Sequence, residues 1–404
     1  ASRFGLALDP QARVGELAAG AQQRVAILKA LRQPVSLLLM DEPTALLAPH
    51  EADALFASLL ALRDQGLSIV LVSHKLAEVR QVCSTCTVMR AGRVVGGGAV
   101  GQFSDDELGE LIVGRRVVPE SPRRVDARGR TPRLRVRGLV GSDERGRREI
   151  DGVDLDVAAG EILGIAGVEG NGQNRLADAL TGLHPALHGE VTIDGRPLSL
   201  CSPRAARSQG VGSVAEDRMH GGVAPGLSIT DNAAALDHGH PPQSRWGWLR
   251  PAAMAARARQ QIEAYGVRAA GEGVPIGTLS GGNIQKLLVA RELAARPRFL
   301  VAAQPTRGVD LGAVRRLRQA LRDARDEGCA VLLISAELDE LLEMSDRLAV
   351  MFQGRIVAHL RPDQVDPRQL GRFMTGLLQD PRARATLDAP FTEPDRLREG
   401  APHE

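Results

Sequence analysis

Short apolar runs recur along the chain, each bounded by small or polar residues and each leading towards a segment of helical period. Leu37-Leu38-Leu39-Met40 runs into Asp41-Glu42-Pro43-Thr44, and Ser68-Ile69-Val70-Leu71-Val72 runs into Ser73-His74. Gly160 to Gly167 contains a third such strand, Gly210 to Val214 a fourth, and Phe299-Leu300-Val301-Ala302 a fifth. Runs of this length, bounded by turn residues, predict buried strands of a parallel sheet. The helical stretches between them, such as Arg175 to Leu180 and the segment after Lys286, predict an α/β fold with crossover helices.

The pattern repeats. Adding 262 to a residue number carries Gly20 onto Gly282, Pro43-Thr44 onto Pro305-Thr306, Ser73 onto Ser335, Leu76 onto Leu338, Gly92-Arg93 onto Gly354-Arg355 and Gly114 onto Gly376. A shared frame this long predicts a duplicated domain, not a solenoid. Domain bounds follow: 1–116 for the later part of a first copy, 117–132 for a Pro/Arg-rich linker, 133–376 for a second copy, and 377–404 for a polar, proline-bearing tail expected to be disordered.

The composition adds four exclusions. With 404 residues, 51 Lys+Arg against 49 Asp+Glu and a net charge of +2, bulk electrostatic binding of nucleic acid is not expected. Only 7 Phe, 2 Trp and 1 Tyr are present, too few for base-stacking platforms. No apolar run reaches the ~18–20 residues that cross a bilayer, so any pore would belong to another chain. The four cysteines do not form a disulfide framework at this length, which points to a reducing compartment.

Three blocks carry candidate chemistry. In the second copy the strand ending at Gly167 opens into Val168-Glu169-Gly170-Asn171-Gly172-Gln173-Asn174 and then a helix. Strand, glycine-rich turn and helix are the context of a phosphate-binding loop, in which backbone N–H groups and the helix dipole hold an anion. The usual Lys and Ser/Thr positions hold Gln173 and Asn174. Next, Leu279-Ser280-Gly281-Gly282-Asn283 precedes a helix, with Leu17-Ala18-Ala19-Gly20 as its first-copy counterpart. Last, the strand ends differ: Asp41-Glu42 in the first copy, Ala303-Gln304 in the second, followed by His74 and Ala336 respectively. Asp41 can ligate Mg²⁺ through oxygen and Glu42 can polarise a water.

Together these blocks resemble the ATP-binding subunits of ABC transporters that carry two cassettes in one chain, over residues 1–376. Ser280-Gly281-Gly282-Asn283, Asp41-Glu42-Pro43-Thr44-Ala45 and Val113-Gly114-Arg115 resemble importers of simple sugars and nucleosides. The strings Gly170-Asn171-Gly172-Gln173 and Ala302-Ala303-Gln304-Pro305-Thr306 are closer to the nucleoside group. The resemblance implies tandem cassettes with a RecA-like core, an antiparallel β subdomain and a helical subdomain. It implies ATP and Mg²⁺ as ligands, membrane permease subunits as partners, an extracytoplasmic binding protein as indirect partner, and a peripheral place on the cytoplasmic face of the membrane.

It also implies head-to-tail pairing. One site would combine Asp41, Glu42 and His74 with Ser280, Gly281, Gly282 and Asn283. The other would combine Gly167, Gly170, Asn171, Gly172, Gln173, Asn174, Ala303, Gln304 and Ala336 with Ala18 and Gly20, and would be degenerate. Glu216-Asp217-Arg218 would form the loop that senses nucleotide and meets the permease, and Gly308-Val309-Asp310 the loop linking the two sites. Subtracting 262 from Gly167 places the matching loop of the first copy about 95 residues before Ala1, so that cassette is expected to be incomplete. The rival classes are a soluble twin-cassette factor acting on ribosomes or DNA, disfavoured by the degenerate site and mixed-charge linker, and an inactive remnant.

Other features read as structural. Cys83 and Cys86 lack a second pair at zinc spacing, and Cys86 falls opposite Leu348, a core position, so it is expected to be buried. His184 and His188, around Pro185, and His238 and His240 are expected in solvated loops. Arg315, Arg316 and Arg318 are expected on one helix face.

Overall fold

The computed structural model describes residues 8–14, 17, 19–32, 35–44, 49–73, 76–90, 92–113, 124–125, 130–142, 146, 148–168, 170–184 and 187–378. His74, Ala18, Ala45, Gly114, Arg115, Pro185, most of the expected linker and the tail from 379 onwards lie outside them. The chain divides into two units, Ala1–Ser121 and Pro122–Glu404.

Unit 1 runs α1 (Ala19–Ala30), β1 (Leu37–Asp41), α2 (Pro49–Asp64), β2 (Ser68–Val72), α3 (Leu76–Val82), β3 (Thr85–Arg90), β4 (Arg93–Ala99) and α4 (Asp105–Val113). β1 and β2 pair in parallel, and β3 and β4 form an antiparallel pair. Among the described residues no strand joins the two pairs. The helices cover one face, where Ile27, Leu38, Met40, Leu55, Phe56, Leu59 and Val82 form a small core.

Unit 2 opens with β5 (Pro132–Ser142), β6 (Arg148–Ala158), β7 (Ile162–Ala166), α5 (Gln173–Leu180), β8 (Leu187–Ile193), β9 (Arg196–Pro197), α6 (Pro203–Ser208) and β10 (Val211–Val214). There follow α7 (Ile229–Ala234), β11 (Ser244–Arg245), β12 (Trp248–Leu249), α8 (Pro251–Tyr265) and α9 (Gly281–Ala294). The last third is β13 (Phe299–Ala303), α10 (Leu311–Asp326), β14 (Ala330–Ile334), α11 (Leu338–Met344), β15 (Arg347–Phe352), β16 (Arg355–Leu360) and α12 (Pro367–Met374).

A six-stranded sheet in the order β10-β13-β14-β7-β15-β16 organises this unit, parallel throughout except for the β15–β16 hairpin. Its central strands β7, β13 and β14 are buried on both faces, as their unbroken apolar sequences require. One face packs on the antiparallel β6-β5-β8-β9 sheet and α5, through residues such as Leu134, Leu155, Leu176, Phe299, Leu332 and Met351. The other packs under α9 to α12 through Ile162, Leu300, Leu317, Leu333, Leu348 and Phe373. α7, α8 and α9 share a separate apolar cluster.

The 262-residue offset carries into the fold. β1, α2, β2, α3 and β3 have the bounds of β13, α10, β14, α11 and β15 shifted by 262, and β1–β2 has the register of β13–β14. Even the irregularity at Val88/Met89 recurs at Val350/Met351.

Three sequence expectations change. His184 is buried at 4% exposure, not solvated. Cys86 is only half-buried, whereas its counterpart Leu348 is fully covered, because Leu348 sits on a strand paired to β7 and β3 has no such neighbour among the described residues. Part of the expected linker is fixed to unit 2: the Val125 N–H donates to Asp346 at 2.7 Å and Arg124 to the Leu342 carbonyl at 3.1 Å. His188, His238 and His240 are exposed as expected, and the three arginines lie on α10.

Candidate nucleotide site

The turn from β7 to α5 has the form of a phosphate cradle. Gly172, at φ +105°, caps α5, and a Cβ there would run into the Glu149 carbonyl oxygen. Asn171 braces the turn against the β15–β16 hairpin: its Oδ1 accepts from Gln353 N–H at 2.9 Å and its carbonyl from Gly354 N–H at 2.9 Å. Gly170 has φ +93°. The loop interior is taken up by Gln173, which is buried, donates from Nε2 to the Val168 carbonyl at 3.1 Å and lies where a side chain on Gly167 would have to go. Asn174 is exposed. The nearby cation, Arg175, is engaged by Glu149 at 2.7 Å. The backbone donors of an anion site are therefore present without a lysine to neutralise a triphosphate.

The strand ends differ in chemistry and agree in geometry. Glu42 and Gln304 both sit in the left-handed region, at φ 42° and 48°. Each donates its N–H to the neighbouring strand, Glu42 to Val72 at 2.8 Å and Gln304 to Ile334 at 2.7 Å. Behind them Thr44 donates to Glu78, and Thr306 to Glu340 at 2.7 Å. Asp41 is exposed at the carboxyl end of β1, where an α/β sheet presents its ligand-binding groups. In unit 2, Gln304 turns its Oε1 to the Ala336 N–H at 3.1 Å, and its carbonyl accepts from Gln285 Nε2 at 3.3 Å. Its amide is thus tied to the β14–α11 loop.

Asn174, Ala303 and Gln304 offer no carboxylate, so this end of unit 2 does not fit a divalent cation. Asp41 and Glu42 fit one whose remaining ligands are phosphate and water oxygens. No cluster of three or more metal-ligating side chains occurs among the described residues.

The Ser280 motif starts α9. Ser280 is its exposed N-cap, held by Asn283 Nδ2 at 2.9 Å, while Asn283 Oδ1 accepts from the Arg268 N–H at 3.0 Å. A Cβ on Gly282 would stand 2.9 Å from the Gly308 carbonyl, so this position needs glycine for close approach. The 216–218 loop is tied down through Glu216 and Arg218, with Asp217 exposed between them. Glu216 accepts from Arg307 at 2.7 Å, and half-buried Arg218 donates to the carbonyls of Gly281 at 3.0 Å and Arg307 at 3.1 Å. Burial holds the Arg218 guanidinium below its ordinary value.

Sequence reasoning missed two links here, Arg218 to the start of α9 and Lys286 to Asp310 at 3.0 Å. Lys286 is buried beneath an Asp310 that also caps α10, accepting from the Ala313 N–H. The paired Lys and Asp were visible as charges in the sequence, but their 24-residue separation gave no sign of contact.

A family description, "ABC transporter", matches residues 150–307. The glucose import ATP-binding protein TsgD13 of Haloferax volcanii is 45% identical over 93% of this chain and 68% of its own length. The nucleoside import ATP-binding protein NupA of Lactococcus lactis is 40% identical over 93% and 74%. The guanosine import ATP-binding protein NupO of Bacillus subtilis is 38% identical over 95% and 75%. Among solved structures, a nucleotide-free ATP-binding cassette from an ABC transporter aligns over 61% of this chain and 100% of its own, at 22% identity and TM-score 0.50. A post-hydrolysis dimer of a cassette bound to ADP and phosphate aligns over 57% and 98%, at 19% identity and TM-score 0.51. These two show the cassette fold. A cassette sheet with its phosphate turn, the Ser-Gly-Gly helix start and relatives of this identity lead to one conclusion: the chain belongs to the ATP-binding subunits of import-type ABC transporters, a family that binds and hydrolyses ATP.

Proposed function

We propose that the chain is the energy-coupling ATPase of a nucleoside importer, built from tandem cassettes of which one strand end is hydrolytic and the other structural. The observation that carries this reading is the asymmetry at matched positions: Asp41-Glu42 against Ala303-Gln304, on backbones of the same geometry. In this reading Asp41 holds Mg²⁺, Glu42 polarises the attacking water, and His74 meets the terminal phosphate. Ser280, Gly281 and Gly282 donate to the same nucleotide from the second cassette, head to tail. Gly20 belongs to the degenerate site opposite Gly167 to Asn174, and Ala18 there replaces a hydroxyl donor. Unit 1 is then the later part of a first cassette, a reading supported by the 262-residue offset in its elements.

Mg²⁺ supplies charge neutralisation on the phosphates; the carboxylates position the ion and the water. ATP binding draws the cassettes together to the extent that nucleotide binds the closed state more tightly. Hydrolysis at Glu42 releases them. The partner is a membrane permease, served by an extracytoplasmic binding protein, with this chain peripheral on the cytoplasmic face. No helix among the described residues is long and apolar enough to cross a membrane.

A nucleoside cargo is supported by relatives that import nucleosides and guanosine at 40% and 38% identity. A sugar cargo is the second reading, favoured by the glucose relative at 45%. The test is uptake of labelled guanosine and glucose by proteoliposomes holding this chain with its permease and binding protein. ATP-dependent guanosine uptake is expected. Glucose uptake alone would select the sugar reading, and uptake of either without ATP would overturn the energy-coupling role.

A further inference from the structure

The chain has two tryptophans, and both stand on one exposed hairpin. β11 and β12 are joined by the two-residue turn Trp246-Gly247, with φ 57° and 84°. A turn with both central residues at positive φ favours Asn or Gly; here a bulky aromatic holds the first position, in a conformation that costs energy. Trp246 is 89% exposed, Trp248 81% and Leu249 53%. Arg245 stacks over the Trp246 ring at 5.7 Å, and Arg250 is exposed on the other side of the turn. Between Asp237 and Glu263 the sequence has no acidic residue, and of its four arginines only Arg257 and Arg259 form ion pairs among the described residues, to Asp237 and Glu272.

We propose that this hairpin docks on an anionic lipid surface, its indoles in the headgroup layer and Arg245 and Arg250 on lipid phosphates. An indole is apolar in body and polar at its N–H, which suits the membrane interface, and arginine pairs with phosphate bidentately. The geometry favours lipid over protein. Two tryptophans can bury roughly 300–500 Å², short of the ~800 Å² per partner of a stable protein interface. Both indoles are almost fully exposed, as a shallow insertion of about 5–10 Å requires.

Because the two tryptophans are the chain's only ones, their emission reports the hairpin directly. The full chain is mixed with vesicles of phosphatidylcholine alone or of phosphatidylcholine with phosphatidylglycerol, without nucleotide, so that the outcome is independent of the ATPase reading. A blue shift and co-sedimentation are expected with the anionic vesicles and not the neutral ones, weakening as salt is raised. Trp246→Ser with Trp248→Ser should lower the sedimented fraction several-fold, and Arg245→Gln with Arg250→Gln should lower it for anionic vesicles. An unshifted emission with anionic vesicles, or a double tryptophan variant that sediments like the parent, overturns the proposal. A shift seen only when the vesicles also carry an integral membrane protein overturns it in favour of a protein partner. An unchanged thermal unfolding midpoint for the variants shows that they are folded.

Discussion

Unit 1 and the last third of unit 2 share strand register and helix bounds, yet among the described residues one face of unit 1 is exposed where that of unit 2 is covered. Leu37, Leu39, Val70, Val72, Met89 and Val94 are exposed; the residues 262 positions later, Phe299, Val301, Leu332, Ile334, Met351 and Ile356, all belong to a single buried cluster. In unit 2 that cluster is closed by α5 and the antiparallel sheet. The opposite face is covered in both units by the equivalent helices. Apolar alternation therefore states which positions prefer burial, and the presence of a covering layer decides whether they achieve it.

The largest expected effect tests the chemical side of this comparison. Glu42→Gln should cut ATP turnover of the assembled transporter by about 10²–10⁴-fold, the worth of a positioned general base. Gln304→Glu should leave it unchanged, because Ala303 and Asn174 still lack a metal ligand. Phosphate release measures both, and a turnover that survives Glu42→Gln would break the assignment.

The packing side comes next. Leu332→Ala should destabilise unit 2 by about 2–5 kcal/mol in urea unfolding. Val70→Ala, its counterpart at 48% exposure, should stay within about 0.5 kcal/mol. A large loss for Val70→Ala would mean that this face is covered in solution.

A pH effect should separate the units further. His359 is buried in β16 with no hydrogen-bond partner for either ring nitrogen among the described residues, and burial, reinforced by Arg347, pushes it down to about 4. The unfolded chain protonates near the ordinary 6.5 and the folded one does not. Stability from this group is therefore full above about pH 6.5, falls as the pH drops towards about 4, and then levels off. His359→Leu should flatten that slope in urea midpoints of unit 2. Unit 1 has Gly97 at this position and should show no matching slope from it.

The smallest expected effect is one the units share. Thr44→Val and Thr306→Val each remove a buried hydroxyl donor to a glutamate, and each should cost about 1–3 kcal/mol, with thermal unfolding as the readout. A cost confined to one unit would show that the shared register does not carry shared energetics.

Much of the fold was legible in the chain. β1, β2, β7, β10 and β13 are the five apolar runs, and the phosphate turn, the Ser280 helix start and the 262-residue repeat follow from glycines and apolar spacing. These are local properties: where a run of apolar residues stops, and where only glycine fits. The candidate site was legible as residue types, since replacing Asp, Glu and Lys by Ala, Gln and Gln alters chemistry regardless of geometry. What side chains do across long separations was not. Arg218 reaching Gly281 and Arg307, and His184 turning inward, depend on which segments come together, and no periodicity encodes that.

By itself, then, the sequence determined the repeat, the strand ends and the loss of charge at 173, 303 and 304. Only the tertiary structure decided that Gln173 fills its own loop, that Gln304 is bound to the Ala336 N–H, and that the described residues leave one apolar face of unit 1 exposed. The reason is physical. Composition and period fix what each residue would gain from burial or pairing, while the partner that provides the gain is a matter of packing between segments far apart in the chain.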